Sequence, residues 1–242
     1  MAPTDAALEA FEDEYLSFTG GWGTLEDAPE NIQRIIANTH LSVNPVYPSD
    51  MNTGFFNGEL DLVKISEDKI VDKQFGSNSS FIGISEAIVP RAFKSVTGPI
   101  YLRRGYSFAM NAIEKTGLLS ALKRQNENYM LLVESDAECR QDSSFIYEPY
   151  SERFSAFIIA GNSALRTNIS YNDVRILLLN HIGVSQPRGL ARKEFIRNLA
   201  GNYLIVNNET GEVSGTAQTM EGYRGTIPTE VIPEQISTNT DN

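Results

Sequence analysis

The sequence is poor in the residues that carry covalent and metal chemistry. Its 242 residues include one cysteine, Cys139, and two histidines, His40 and His181. A single cysteine excludes an intrachain disulfide, and its neighbours offer no base to activate it, so we predict that Cys139 is a small, semi-buried filler. The two histidines lie too far apart in sequence to supply the clustered ligands of a metal site. We predict a structural role for both at helix ends.

Motifs for catalysis and phosphate binding are also missing. The chain has no Gly-x-Ser-x-Gly elbow, no Gly-x-x-x-x-Gly-Lys and no Gly-x-Gly-x-x-Gly after a strand. Its nearest glycine cluster, residues 20–23, is predicted to be a flexible loop that exposes Trp22. The 31 acidic residues form many chance pairs, and none stands out as a glycosidase pair. We therefore predict no catalytic, cofactor-binding or metal-binding residues, and no enzyme.

Long apolar runs are absent as well. No stretch reaches the roughly 18 apolar residues that a membrane-spanning helix needs. Residues 1–10 include Asp5 and Glu9 and lack a basic segment, so they do not form a signal peptide. The segment is thus not predicted to span a membrane.

Positive charge is scarce. Lys and Arg number 20 against 31 Asp and Glu, which gives a net charge of -11. Such a surface repels phosphate backbones, so no nucleic-acid partner is expected. The one compact basic stretch contains Arg188, Arg192, Lys193 and Arg197. Its spacing predicts the solvated face of a short amphipathic helix.

What is present is a normal globular composition, with 41% hydrophobic and 21% charged residues. In the first half, Thr4 or Asp5 is predicted to cap a helix, and residues 29–39 are predicted to form a second helix ending at His40. Alternation over residues 59–65 predicts a half-buried strand, with a returning strand over residues 69–73.

The pattern continues with strands and then helices. Residues 81–84 are predicted to be a strand that leads into 87–90, and a helix through Phe108 is predicted to end at a left-handed Gly117. A short helix over 118–122 and a buried strand over 129–133 follow. Helices followed by hairpins predict an α+β fold rather than βαβ winding.

An internal repeat relates the two halves. Residues 35–43 align with 177–184, allowing one gap, and this places both histidines at the same point. Residues 57–63 align with 200–206, and each segment is followed by a turn and a second strand. Two copies of one fold is the economical interpretation, with an insertion over about residues 143–169 in the second copy.

The copies are predicted to be incomplete. When the two copies are aligned, Met1 falls at the position of Leu132. Copy one is therefore expected to lack the segment that residues 106–133 form in copy two. Residues 80–93 give copy one an ending that copy two is expected to lack. We therefore expect the chain to begin inside one domain and to end inside the next, with an open sheet edge near Leu204 to Val206.

These segments resemble the fasciclin domain. Residues 1–8 resemble its aliphatic-Ala-Pro-Thr-Asp motif, residues 35–41 and 177–182 its Leu-Leu-x-x-His-Ile segment, and residues 81–90 its closing strand. The sequence of copy two is similar to that of surface fasciclin proteins of Bacteroidetes-type bacteria. Ser135 and Asp136 keep the cap of the first motif but lose its proline.

One feature of the animal members of that family is missing. Thr39 and Asn180 precede the histidines where those members have tyrosine, so the resemblance does not imply integrin recognition. It implies two tandem fasciclin-like domains, with the C-terminal part of the first over residues 1–97 and most of the second over residues 98–242, each a small β-wedge or sandwich flanked by helices. The breaking sequence Thr97-Gly98-Pro99 marks the expected boundary.

Several aromatic residues fall in polar loops, namely Tyr47, Phe55, Phe56, Tyr147 and Tyr150. Aromatic side chains exposed beside polar loops suit protein or sugar contact, but the same residues often pack loops onto a core. Both interpretations stay open at the level of sequence.

The resemblance implies a non-catalytic adhesion or partner-binding module, extracytoplasmic and at the cell surface, with a protein or glycan partner. It is compatible with a lipid anchor on a segment preceding this chain. The alternative is a carbohydrate-binding accessory protein of a bacterial glycan-uptake system. An enzyme ranks third, and converging carboxylates or a metal in a cavity would favour it.

Overall fold

A computed structural model describes residues 1–124, 127–139, 146–160, 163–216 and 229–230. These residues form an α+β fold with several small sheets, as the sequence predicts. They divide into two compact units, Met1–Phe93 with Leu102–Arg104, and Lys94–Tyr101 with Gly105–Asn242. The assignment of residues 1–97 and 98–242 to two fasciclin-like domains stays a prediction.

The first unit alternates short helices with short strands. In chain order it contains β1 (Ala2–Pro3), α1 (Asp5–Tyr15), α2 (Glu30–Thr39), α3 (Pro48–Thr53), β2 (Phe55–Phe56), β3 (Leu62–Val63), a 3-10 turn (Glu67–Lys69), β4 (Ile70–Phe75) and β5 (Ser80–Ile84). Strand β5 lies between β1, to which it is parallel, and β4, to which it is antiparallel. Strands β2 and β3 form a separate antiparallel pair.

The two helices predicted in this unit are confirmed. Thr4, not Asp5, caps α1, because its side chain accepts a hydrogen bond from the Ala7 N–H at 3.2 Å. The apolar stripe of α2 is buried as the spacing predicts, through Ile32, Ile35 and Ile36.

The predicted hairpin between residues 59–65 and 69–73 is wrong. Strand β3 pairs with β2, and β4 pairs with β5, so the two segments are not each other's partners. The predicted burial is right for Val63 and Ile65 but wrong for the residues before them, since Asp61 is buried while Leu60 and Leu62 are exposed. The reason is the turn before β3, where Leu60 takes a left-handed backbone with φ of 59° and the Asp61 N–H binds the buried Asn57 side chain.

One apolar cluster of this unit joins its short strands. It contains Val46, Met51, Phe55, Val63, Ile65, Ile82 and Ile84, with Met1, Ile70 and Ile88 packed against it. Residues from β2, β3 and β5 thus share one core, and burial of this apolar surface is the main stabilising contribution.

The second unit has more elements. In chain order they are α4 (Gly98–Leu102), α5 (Ser107–Lys115), α6 (Leu119–Leu122), β6 (Met130–Leu131), α7 (Asp136–Glu138), β7 (Ile146–Glu148), β8 (Arg153–Ala160), β9 (Ser163–Ile169), α8 (Tyr171–His181), β10 (Ile182–Gly183), β11 (Lys193–Arg197), β12 (Tyr203–Asn207), β13 (Glu212–Gly215) and β14 (Thr229–Glu230). The last residue of α4 belongs to the first unit. Gly117 follows α5 with φ of 71°, which confirms the predicted left-handed cap.

The predicted insertion forms a sheet of its own, with β8 between β7 and β9. Its buried Phe154 packs against the rings of Phe108, Tyr147 and Tyr171, with centroids 4.8 to 5.8 Å apart. These contacts join the insertion to α5 and α8.

Two predictions for this unit need correction. The basic stretch is not a helix, because Lys193–Arg197 is strand β11, in which only Ile196 is fully buried and Phe195 pairs with Ile205. Because side chains alternate across a strand, Lys193 and Arg197 lie on the face opposite the buried Ile196. The predicted buried strand over residues 129–133 is shorter, since β6 covers Met130–Leu131 and is only half-buried.

A short strand follows β13 in the second unit, since β14 pairs antiparallel with β13. Among the described residues β14 is not placed between two strands as β5 is, so the expected lack of a closing strand in copy two stays a prediction. The open edge expected near Leu204 to Val206 is not found, because β12 is paired with β11 on one side and β13 on the other. In the described part of the chain, no helix combines the length and apolar character needed to cross a membrane.

The cap at Thr4 leads to a stability prediction. Thr4→Ala removes the acceptor for the Ala7 N–H and is expected to lower the free energy of unfolding by about 1 kcal/mol. Thr4→Ser keeps a hydroxyl acceptor and should lie within a few tenths of a kcal/mol of the wild type. Urea unfolding of the three proteins checks this, and equal stability of Thr4→Ala and wild type would contradict the assignment.

Candidate functional site

The end of α2 is held by partners from distant parts of the chain. The last carbonyls of a helix have no partner within the helix and must find one elsewhere. Asn38 O accepts from the Gly58 N–H at 3.0 Å, Thr39 O from the Asn57 side-chain amide at 3.2 Å, and His40 O from Met1 N at 2.7 Å. Two of these carbonyls are therefore bonded to residues 57–58 and the third to Met1.

The end of α8 repeats this arrangement, 141 positions further along the chain (40 to 181). Leu179 O accepts from the Ala200 N–H at 3.1 Å, and Asn180 O from the Asn198 side-chain amide at 3.0 Å. His181 O accepts from the Leu132 N–H at 3.0 Å. Leu132 thus takes the place of Met1, which confirms that part of the predicted alignment.

Two buried asparagines make this arrangement possible. The side-chain oxygens of Asn57 and Asn198 accept from the backbone N–H four residues later, at Asp61 and Asn202, at 2.9 and 2.8 Å. Each asparagine therefore ties a helix end to the turn that precedes a strand. The sequence analysis missed both residues, although the shared spacing Asn-x-x-x-Asp/Asn was available as a signal.

These bonds also correct the predicted alignment of the strands. Asn57 corresponds to Asn198, not to Ala200, and Val63 corresponds to Leu204, two residues earlier than predicted. The same offset pairs the buried Ile65 with the buried Val206. The same hydrogen-bonded motif thus occurs once in each unit.

The His40 ring is fully used by the fold. Its Nδ1 lies 2.8 Å from Ile36 O, and because a carbonyl can only accept, Nδ1 carries the proton. Its Nε2 accepts from the Ile88 N–H at 2.9 Å, which requires Nε2 to be unprotonated. Burial lowers the pKa of His40 below its usual value of 6.5. His181 makes the matching Nδ1 contact with Leu177 O at 2.8 Å.

Cys139 is not an activated nucleophile. The thiol is buried, and burial, with the adjacent Glu134 carboxylate, raises its pKa to about 12. Its sulfur lies 3.6 Å from Glu134 Oε2. Since the thiolate is the reactive form, this environment suppresses nucleophilic chemistry. Among the residues that the structure describes, no group of three or more His, Cys, Asp or Glu side chains is placed to hold a metal ion.

The prediction that the glycine loop exposes Trp22 is wrong. Trp22 is half-buried, and the Arg104 guanidinium carbon lies 5.6 Å from its ring centroid. Arg104 also donates to Trp22 O at 2.7 Å, and its own N–H donates to Gly20 O. A cation over the ring and two backbone contacts fix this loop.

The predicted contact aromatics divide into two groups. Tyr47, Phe56 and Tyr150 are exposed, and Tyr150 has no part of its side chain covered. Phe55 is buried in the first core, and Tyr147 is half-buried with its ring centroid 4.8 Å from that of Phe154. Only the first group is available to a partner.

A shallow cleft of about 540 Å³ is lined by residues 151–153, which directly follow the exposed Tyr150 in the chain, and by residues 168–171. Six of these residues have a polar group, namely Ser151, Glu152, Arg153, Asn168, Ser170 and Tyr171, and Ile169 is apolar. Lys115 holds the Glu152 carboxylate at 2.8 Å, and its hydrogen bond lowers the pKa of that group. The Tyr171 hydroxyl donates to Glu152 O at 2.6 Å.

Two polar side chains of the cleft are open. The exposed Arg153 and Asn168 side chains make no recorded hydrogen bond within the described residues, whereas Glu152 and Tyr171 shape the wall. Such a cleft can offer donors and acceptors to a polar ligand and an aromatic ring at its rim.

No family model matches the chain, and no curated protein matches it, so the fasciclin resemblance rests on the motifs alone.

The state of His40 leads to a pH prediction. A folded-state pKa below the unfolded value means that the unfolded chain binds the proton more readily. The contribution of His40 to stability is therefore complete above about pH 6.5 and is lost as the pH falls toward the folded-state pKa.

His40→Gln can keep one donor and one acceptor but does not titrate, so its stability should fall less than that of the wild type between pH 8 and pH 5. Urea unfolding at each pH measures the two slopes. If His40→Gln and the wild type have the same slope, the neutral, buried His40 is wrong.

Proposed function

We propose that this chain is a non-catalytic binding module that acts at the cell surface and contacts a protein partner. The observation that carries the proposal is a group of exposed apolar side chains at the start of β3. Burying Asp61 turns Leu60 and Leu62 outward, and Phe56 lies directly opposite Leu62 on β2. These three side chains are 77%, 43% and 59% exposed.

Apolar side chains grouped on an exposed strand pair are typical of a contact surface. The Leu62 side chain also lies against Gly54, where a Cβ atom would come within 2.9 Å of it. Glycine at this position lets Leu62 lie across the end of α3. The group is therefore fixed in place before any partner arrives, which reduces the entropy cost of binding.

The chemistry of the described interior supports a binding role over turnover. His40 uses both ring nitrogens in backbone hydrogen bonds, and the Cys139 thiol is buried with a raised pKa. A general base or a nucleophile needs a free lone pair at a reactive site. The extracytoplasmic placement rests on the fasciclin resemblance, and a lipid anchor on a preceding segment would be compatible with it.

A glycan partner is the second candidate, and the cleft that follows Tyr150 favours it. Arg153 and Asn168 offer polar contacts there, and the partly exposed Tyr171 ring in the lining offers an apolar face, with the exposed Tyr150 ring one residue before the lining in sequence. Sugar rings have both hydroxyl groups and apolar C–H faces, so this combination fits them. Such a site would serve a carbohydrate-binding accessory protein of a glycan-uptake system.

A direct test compares adhesion of protein-coated beads to cells with binding to a glycan array. The variant Phe56→Thr with Leu62→Thr removes the apolar group while keeping strand-forming residues, and it should reduce bead adhesion about tenfold. Phe75→Thr, at an aromatic residue that is 63% exposed on β4, is the matched control and should leave adhesion unchanged.

The two candidate partners give different results. A protein partner predicts adhesion that is lost when the cells are treated with protease, and no glycan-array signal. A glycan partner predicts array binding that Tyr150→Ser abolishes. Chemical change of a bound ligand, detected by mass spectrometry after incubation, would contradict a non-catalytic role.

A further inference from the structure

The outer face of β11 and β12 has an unusual composition for so acidic a chain. Lys193, Phe195 and Arg197 alternate along β11, and all three are exposed. Tyr203, 47% exposed, lies opposite Arg197, and Ile205 lies opposite Phe195. Their neighbours Ile196 and Leu204 are buried, so the cations and rings share the opposite, open face.

The two cations on this face are not neutralised by a recorded ion pair in the described part of the chain. Nearby acidic groups are already engaged, since Glu209 pairs with Arg192 at 2.6 Å. Glu194 accepts from the N–H groups of Arg188 and Leu190 and from the Asn208 amide. The face therefore presents positive charge on a chain whose net charge is -11.

The spacing of these groups suits a polymer. Strand geometry separates Lys193 from Arg197 by about 13 Å, with Phe195 halfway between. A ligand that touches both cations and the ring must extend over this distance. It must also carry repeated negative charge and offer a flat apolar surface. A chain of acidic sugar rings meets all three conditions.

A peptide that adds to the sheet fits less well. Such a peptide needs free backbone groups along the edge of β11. Arg197 O already accepts from the Val184 N–H, and the Glu194 carboxylate holds the 188–190 loop next to that edge. A ligand must therefore lie on the face. Duplex nucleic acid is disfavoured because two cations cannot offset repulsion by the acidic chain.

We infer that the face formed by Lys193, Phe195, Arg197 and Tyr203 binds an anionic polysaccharide, with carboxylate or sulfate groups on the two cations and sugar rings on Phe195 and Tyr203. This inference rests on the glycan form of the proposed function. It adds a second sugar-binding surface to the cleft that follows Tyr150, and it specifies that the ligand is negatively charged.

The experiment measures binding of the 242-residue protein to matched polymers by biolayer interferometry. Polygalacturonate is compared with its fully methyl-esterified form, and dextran sulfate with dextran, so each pair differs in charge alone. We expect binding to the charged member of at least one pair and none to the neutral members. The two pairs distinguish carboxylate from sulfate recognition.

The variants separate charge from stacking. Lys193→Gln with Arg197→Gln should weaken binding about tenfold at low salt, and less as salt rises. Phe195→Thr should weaken binding about fivefold at every salt concentration, because stacking is not screened. Arg192→Gln and Phe75→Thr are the matched controls and should bind as the wild type does.

Several results would overturn the inference. They are equal binding of neutral and charged polymers, equal loss in the control variants, or tighter binding to poly-L-glutamate with no effect of Phe195→Thr. If Tyr150→Ser abolishes polysaccharide binding while the β11 variants bind normally, the inference fails but the proposed glycan partner stands. Far-UV circular dichroism and thermal melting confirm that each variant is folded.

Discussion

The rest of each unit depends on how the last carbonyls of one helix find their hydrogen-bond donors. Unbonded carbonyls in a buried helix end would cost roughly 1–3 kcal/mol each. At α2 and α8 the donors come from a buried asparagine, from the backbone next to it and from the strand that enters the unit. Satisfying these groups brings three distant segments to one point. The apolar cores then form around the strands that follow.

This constraint accounts for the polar side chains that are buried in the first unit and for the apolar ones that are exposed beside them. Asn57 holds the turn before β3, so Asp61 faces inward and Leu60 and Leu62 face the solvent. His40 completes the same helix end through its ring. The surfaces that we propose for partners are the apolar residues beside β3, the cleft that follows Tyr150, and the cations and rings on β11 and β12.

Much of the fold could be predicted from local pattern, but the pairing of strands could not. The cap at Thr4 and the stripe of α2 depend on neighbouring residues, which sequence displays directly. A repeat alignment shifted by two residues keeps every strand residue on the same face, so alternation alone could not reveal that Val63 matches Leu204. Lys193–Arg197 is short enough to fit either a helix or a strand, and pairing with β12 decides the outcome. Neither the exposed face of β3 nor that of β11 could therefore be found from sequence.

The most direct test of this account is the stability of Asn57→Ala and Asn198→Ala. Each variant leaves a backbone carbonyl and a backbone N–H without a partner inside its unit, so each should lower the free energy of unfolding by about 2–5 kcal/mol. Asn208→Ala is the matched control, because its amide also bridges two groups but is exposed, and it should cost less than about 1 kcal/mol. Urea unfolding measures all three. A loss of less than about 0.5 kcal/mol for both buried asparagines would contradict the claim that the two helix ends organise the fold.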